Sequence, residues 1–267
     1  MPRVRIGTSS FTASGWETTF YPAGLKDADR LTYYATKFDT VEIDATFYRV
    51  PALSTVKGWR AKTPADFTFA LKVPQAITHE KVLVDCDDDL KAFLDAASLL
   101  AEKLGPLLFQ FGYFNRSVFK SQAEFLARLK PFLAKLPKGF QFAIEIRNKD
   151  WLDARLSDLL REHEVALAMI DQGWMPRPWE VKTKVDWLTA PGFSYARLLG
   201  DRNAIEGHTK TWDKVIVDRK TDLEKWLDYW KRIERYDDMS YIYLNNHYSG
   251  FAPATAETLR KMWNNTK

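Results

Sequence analysis

One cysteine, four histidines and no apolar run long enough to cross a bilayer set the first limits on this chain. The lone Cys86 cannot close an internal disulfide, which excludes a disulfide-stapled scaffold and fits a reducing compartment. A bilayer span needs ~18 consecutive apolar residues, and the opening Met1-Pro2-Arg3-Val4-Arg5 carries no signal-peptide apolar region. A cytoplasmic location without a membrane partner is therefore expected. The histidines make no His-Glu-x-x-His pair, and cysteine is too scarce for a zinc cluster. Glycine-rich phosphate turns are missing as well. The first apolar segment runs into Gly7-Thr8-Ser9-Ser10, which is neither a dinucleotide fingerprint nor a P-loop. There is no nucleophile elbow, internal repeat or low-complexity linker.

Hydrophobic residues make up 46% of the 267 positions, enough for a full core, and charged residues 28%. The net charge is +4, but Lys and Arg are scattered among Asp and Glu. Nucleic-acid binders gather such charge into a patch, so nucleic acid remains an unfavoured partner. Eight short apolar segments stand out, at 4–9, 40–46, 67–73, 107–111, 140–147, 166–171, 193–199 and 241–246. Each is rich in β-branched or aromatic residues, and most read as unbroken apolar runs, as parallel strands covered on both faces do.

Helical periodicities separate these segments, for example Leu90, Phe93, Leu94, Ala97, Leu100, Ala101 and Leu104, with Gly105 as a stop signal. Ser121 with Glu124, and Thr221 with Glu224, read as capping boxes. Pro131 is expected to kink its helix. Strand–helix alternation predicts an α/β protein, specifically a single (β/α)₈ TIM-like barrel domain over 1–267. Connections after the strands are mostly long and those after the helices short, which places the site at the C-terminal strand ends.

Polar residues gather at those ends. Residues two apart on a strand share a face, so Glu42 and Asp44 are expected to point the same way, as are Glu145 and Arg147. The flanking Val41, Ile43, Ile144 and Ile146 would face the helices. Candidate acid–base groups are Glu42, Lys72, Glu145 and Asp171, with the pKa values of the carboxylates pulled apart by nearby cations. Candidate substrate-binding residues are Thr8, Asp44, Tyr48, His79, Gln110, Arg147, Trp151, Arg197, Asn245 and Asn246. Arg197 offers a planar guanidinium for an anion, unless it pairs internally with Asp171 or Glu145. The segment 200–220, with Arg202, His208 and Trp212, could close over a ligand as a lid. No cofactor and no dedicated metal site are expected, although carboxylates alone could hold Mg²⁺ or Mn²⁺. The leading expectation is an enzyme doing acid–base chemistry on a small anionic or polyhydroxylated substrate, sugar-phosphate or nucleotide-like. A divalent-metal-assisted phosphoesterase or nuclease, and a non-enzymatic ligand-binding protein, are the alternatives.

These residues also carry a resemblance. Ile6-Gly7-Thr8-Ser9, Phe20-Tyr21-Pro22, Asp39-Thr40-Val41-Glu42, Ala45-Thr46-Phe47-Tyr48, Lys72-Val73-Pro74, Ile77-Thr78-His79, Gly105-Pro106 with Gln110-Phe111, Glu145-Ile146-Arg147 with Trp151, Tyr195-Ala196-Arg197-Leu198 and Asn245-Asn246-His247-Tyr248 occur in order along the chain. In these the chain resembles the YecE-like family, a domain of unknown function (number 72). The resemblance implies a barrel fold and supplies no reaction. This chain departs from the pattern at Asp44, where Asn is usual, at Leu199, where His is common, and at Gly112-Tyr113, which replaces a proline pair.

Overall fold

The computed structural model describes residues 3–181 and 183–265. The strands are β1 (Arg3–Thr8), β2 (Thr40–Ile43), β3 (Thr68–Lys72), β4 (Leu104–Gln110), β5 (Phe142–Glu145), β6 (Ala166–Leu167), β7 (Met169–Gln172), β8 (Phe193–Gly200) and β9 (Met239–Leu244). They form two sheets, ordered β1-β9-β8-β7 and β2-β3-β4-β5-β6. Every ladder within them is parallel. The protein is thus a single-domain α/β fold built on two parallel sheets. The eight-strand expectation is met in direction and nearly in position. The sixth segment is divided at Ala168, whose N–H donates to the Ile144 carbonyl at 2.8 Å. That division lets β6 pair with β5 while β7 pairs with β8. Strand pairing does not join the two sheets into one closed ladder.

The edges of β1 and β2 nevertheless lie against each other. A Cβ added to Gly7 would sit 2.2 Å from the Thr40 carbonyl oxygen, so only glycine permits this approach. Tyr34, at the end of helix α1 (Arg30–Tyr34), fastens the seam. Its buried hydroxyl accepts from Thr8 N at 3.0 Å and lies 3.1 Å from the Thr40 carbonyl, to which it donates.

The interior faces of both sheets form one plug: Ala70, Leu108, Ala143, Ala166, Ala168, Phe193, Tyr195, Tyr241 and Tyr243, all buried. The opposite phase of each strand, such as Val41, Ile43, Phe69, Leu107, Phe109, Ile144 and Leu167, packs in a larger cluster with the helices. Small alanines pack with large tyrosines in this plug, as close packing requires. Charged residues begin one pleat above this plug.

Local details differ from the sequence expectations for physical reasons. Segment 40–46 leaves the sheet at Ile43, and Asp44–Phe47 turns as a short 3₁₀ helix. Gly105 lies inside β4 and not at a helix end. A side chain there would strike Thr68 Cγ2 at 2.5 Å. Ser121 caps α4 (Gln122–Ala134), but the Glu124 carboxylate accepts from Lys120 N at 2.7 Å and leaves the cap residue's own N–H. Pro131 is carried within that helix. The helix over Lys220–Ile233 starts one residue before Thr221, and its first N–H, that of Lys220, is held by Asp218 at 2.8 Å. The segment 200–220 is tied down: Trp212 N donates to Ser14 O at 2.9 Å and Ile216 N to Ser249 O at 2.6 Å. Among the described residues no helix is long and apolar enough to cross a membrane.

The seam between β1 and β2 gives a test. Tyr34→Phe leaves Thr8 N–H and Thr40 C=O short of a buried partner, so it should lower unfolding free energy by about 1–3 kcal/mol. Urea denaturation checks this. A loss below about 0.3 kcal/mol would show that the hydroxyl does not hold the seam.

Candidate functional site

Above the tyrosine–alanine plug, Arg197 enters from β8 with its side chain 3% exposed. A guanidinium cannot shed its charge, so burial demands partners. It has three. Nε and Nη2 donate to Glu42 Oε1 at 3.1 and 2.8 Å, Nη1 donates to Glu145 Oε2 at 2.8 Å, and Nη2 lies 3.4 Å from Asp44 Oδ1. Glu42 rises from β2 and Glu145 from β5, both with no exposed side-chain surface. The internal pairing with Glu145 weighed in the sequence is therefore present. The partner added to it is Glu42 and not Asp171, and Arg197 is saturated by the protein itself.

The array continues outward. Arg147, just past β5, gives Nε to Glu145 Oε1 at 2.5 Å and Nη1 to the Gln172 side-chain oxygen. Lys72, the last residue of β3, places Nζ 3.1 Å from Asp44 Oδ1 and 3.9 Å from the centroid of the Phe47 ring. The expected common direction of Glu42 with Asp44, and of Glu145 with Arg147, is seen, although Asp44 and Arg147 lie beyond their strands. Tyr195 O–H donates to Glu42 Oε2 at 2.5 Å.

Three carboxylates face three cations, and their environments separate them. Burial pushes the Glu42 carboxyl above the usual carboxylate range; Arg197 opposes this, and Asp44 adds to it. Burial acts in the same direction on Glu145, but Arg147, Arg197 and Lys72 outweigh it and hold that group at about 2. Desolvation lowers Lys72 below an ordinary lysine, and Arg197 reinforces the shift while Asp44 resists it. His79, on the π-helical turn Ala76–Glu80, is lowered by partial desolvation and by Lys72 and Arg147. Its ring meets Phe47 edge to face at 4.9 Å, and Nδ1 lies 2.8 Å from the Thr78 hydroxyl.

Not every candidate joins the array. Asp171 faces the helix layer, where its Oδ2 accepts from Trp226 Nε1 at 2.7 Å, Arg177 Nε at 3.1 Å and the Tyr248 hydroxyl at 3.3 Å. Trp151 stacks on Phe125 at 5.1 Å and packs with Phe114 and Phe119 outside the strands. Thr8 turns toward α1 and bonds the Tyr34 hydroxyl and the Ser10 carbonyl. Gln110 stays at the strand end beside Glu145 in register and donates to Phe111 O at 2.5 Å. Tyr48 is 71% exposed at the mouth. Asn245 and Asn246 flank it in the lining of a cavity, where each side-chain oxygen caps local backbone: Asn245 for His247 N at 3.0 Å and Asn246 for Ala252 N at 3.0 Å. The residues missed in the sequence are Tyr195, Gln172, Phe47 and Ser9. Their signal was phase, since Tyr195 shares the face of Arg197, and Ser9 that of Gly7. Among the described residues no group of three or more His, Cys, Asp or Glu side chains is placed to hold a metal ion.

With this geometry in view, comparisons with known proteins place the chain. The family described as "Protein of unknown function DUF72" matches residues 5–267, and this chain belongs to that YecE-like family. It is 35% identical over 118 residues to UPF0759 protein YecE of Escherichia coli K12, covering 44% of this chain and 41% of that protein. It is 29% identical over 148 residues to UPF0759 protein YunF of Bacillus subtilis 168, covering 52% and 50%. The matched stretch therefore spans about two-fifths to half the length of these relatives. Among solved structures, a DUF72 protein of Thermotoga maritima (TM1631) aligns over 98% of this chain and 99% of its own, with 25% identity and a TM-score of 0.75. A DUF72 protein of Enterococcus faecalis (EF0366) aligns over 98% and 95%, with 21% identity and a TM-score of 0.72.

Glu145 supplies the site's stability prediction. Glu145→Gln removes the charge shared by two arginines and should cost about 3–5 kcal/mol at neutral pH, because buried cations are left under-neutralised. The Glu145 pKa is lower in the folded than in the unfolded chain. Its stabilisation is therefore present at neutral pH and is lost as pH falls from the ordinary carboxylate range toward about 2. Between those limits the variant's stability should fall less steeply with acid than the wild type's. Urea titrations at several pH values measure both effects, and parallel acid limbs would refute the assignment.

Proposed function

We propose that this protein is an enzyme performing acid–base chemistry on a small anionic or polyhydroxylated compound, with Lys72 and Asp44 as the reacting pair. The observation that carries this reading is the setting of Lys72: an amine at the strand end, 3.1 Å from a carboxylate and 3.9 Å over an aromatic ring, held below its ordinary pKa by burial. A buried amine whose pKa is lowered gives up its proton more readily than an exposed lysine does. Asp44, its side chain 36% exposed, is the carboxylate a ligand can reach. Glu42 and Glu145 are enclosed, and their part is to fix Arg197 and Arg147 so that the mouth above them is rigid. Lys72 and Arg147 supply the positive charge, so the proposal requires no metal.

The same reading takes the two sheets as opposite walls of one (β/α)₈ barrel. Arg197 reaching from β8 to Glu42 and Glu145, and Tyr34 bridging β1 and β2, support it. Enzymes of that architecture act at the C-terminal strand ends. A cytoplasmic setting accords with the single unpaired Cys86.

The test is untargeted mass spectrometry of a small-molecule extract incubated with the protein. The wild type should deplete at least one compound, and Lys72→Met and Asp44→Asn should each slow that depletion by about 100-fold or more. If the wild type consumes nothing, or Lys72→Met consumes it as fast, the enzyme reading fails. A compound that copurifies and never turns over would make this a ligand-binding protein.

A further inference from the structure

A cavity of about 220 Å³ opens beside the charged array, lined by Ser9, Trp16, Asp44, Tyr48, Asn245 and Asn246 among others. Two of these residues hold buried polar atoms with no hydrogen-bond partner: the Ser9 hydroxyl and the Trp16 indole N–H. Ser9 is 4% exposed and Trp16 1%. A buried hydroxyl or indole N–H without a partner costs free energy, and native proteins leave few of them. Two such groups around one cavity call for an occupant that can accept from both.

The rest of the lining says what kind. Asn245 and Asn246 spend their side-chain oxygens on His247 N and Ala252 N, which leaves their NH₂ ends as donors. Asp44 commits Oδ1 to Lys72 and Arg197 and retains Oδ2 as an acceptor. Ser9 can do either. No lysine, arginine or histidine lines the cavity, and its one formal charge is a carboxylate. An anion entering it would meet the Asp44 carboxylate, whose cation partners Lys72 and Arg197 stand outside the cavity lining on Oδ1. A hydroxyl, which both donates and accepts, matches the mixture group by group. The exposed face of Tyr48 suits the C–H side of a small ring. At ~30 Å³ per water the volume equals roughly seven water molecules, room for a single small ring.

We infer that this cavity is a neutral polyol subsite that receives a hydroxyl-bearing ring through Ser9, Trp16, Asn245 and Asn246. It rests on the reading of the Lys72–Asp44 mouth as a substrate site, and it sharpens that reading: the polyhydroxylated part of the substrate sits here, and any anionic part lies on the Lys72 and Arg147 side. Asp44 touches both compartments.

Saturation-transfer NMR with myo-inositol, D-ribose and D-glucose tests the inference without needing the natural substrate. At least one probe should give a signal with the wild type. Ser9→Ala should weaken it by about fivefold, the worth of one neutral hydrogen bond, and Ser9→Val, which fills the space, should abolish it. Inorganic phosphate should not displace the probe. Ser9→Ala without ligand should melt no lower than the wild type, since an unpartnered hydroxyl is being removed. Silence from all three probes, an equal signal with Ser9→Val, displacement by phosphate, or a lower melting temperature for Ser9→Ala would each overturn the subsite. Failure of the Lys72 reading shows up separately, as turnover unaffected by Lys72→Met while probe binding still depends on Ser9.

Discussion

The buried Arg197 guanidinium is the constraint to which the upper half of the molecule is built. Moving such an ion out of water costs several kcal/mol, which only well-placed opposite charges offset. Its carboxylate partners come from β2 and β5 of one sheet while Arg197 itself stands on β8 of the other. The pairing therefore fixes the two sheets against each other at the level where the tyrosine–alanine plug ends. Glu42 and Glu145 serve this role in different ways. Glu145 is shared by two arginines and is firmly ionised. Glu42 accepts from Arg197 and the Tyr195 hydroxyl, yet burial still raises it.

Above this array stands the Lys72–Asp44 pair, with Lys72 buried and Asp44 partly exposed. Lys72 is desolvated by its position on β3 and by the Phe47 ring, and Phe47 is brought there because the chain leaves β2 at Ile43 and turns at once through Asp44–Phe47. The early end of β2 is thus the local event that turns Asp44 from one more interior carboxylate into a residue at the mouth. The π-helical turn after β3 acts similarly on His79 and sets its ring edge to face with Phe47.

Much of this was legible in the chain. Val41, Ile43, Ile144 and Ile146 alternate with Glu42 and Glu145, so the period of two alone places both carboxylates in the interior. Where the alternation is absent, the reading loses its footing. The run Ala166 to Ile170 is apolar throughout and shows no phase. The structure turns Ala166 and Ala168 inward, because the tyrosines of β8 and β9 leave room only for small residues. Asp171 shares the phase of Leu167 and Met169 and so faces the helix layer, where Trp226 and Arg177 hold it. Ile6 and Thr8 share the outer phase, and Gly7 with Ser9 the inner one, so Thr8 bonds the Tyr34 hydroxyl while still bordering the same cavity as Ser9. Trp151 lies too far past β5 for strand phase to govern it, and aromatic packing decides its place.

The departure at Asp44 gives the arrangement its electrostatic sense. With Asp44 present, Lys72, Arg147 and Arg197 face Glu42, Asp44 and Glu145, so the array is balanced in formal charge. An asparagine at this position, usual in the resembling family, would leave one cation over and make the whole mouth attractive to anions. The aspartate cancels that excess and is itself part of the lining of the Ser9 cavity. There a carboxylate favours hydroxyl donors and repels anions. One substitution thus divides the mouth into a basic side, at Lys72 and Arg147, and a neutral-to-acidic side, at Ser9 and Asn245. On the proposed reading, a ligand that fills both is polar at one end in a different sense from the other, which orients it across Asp44.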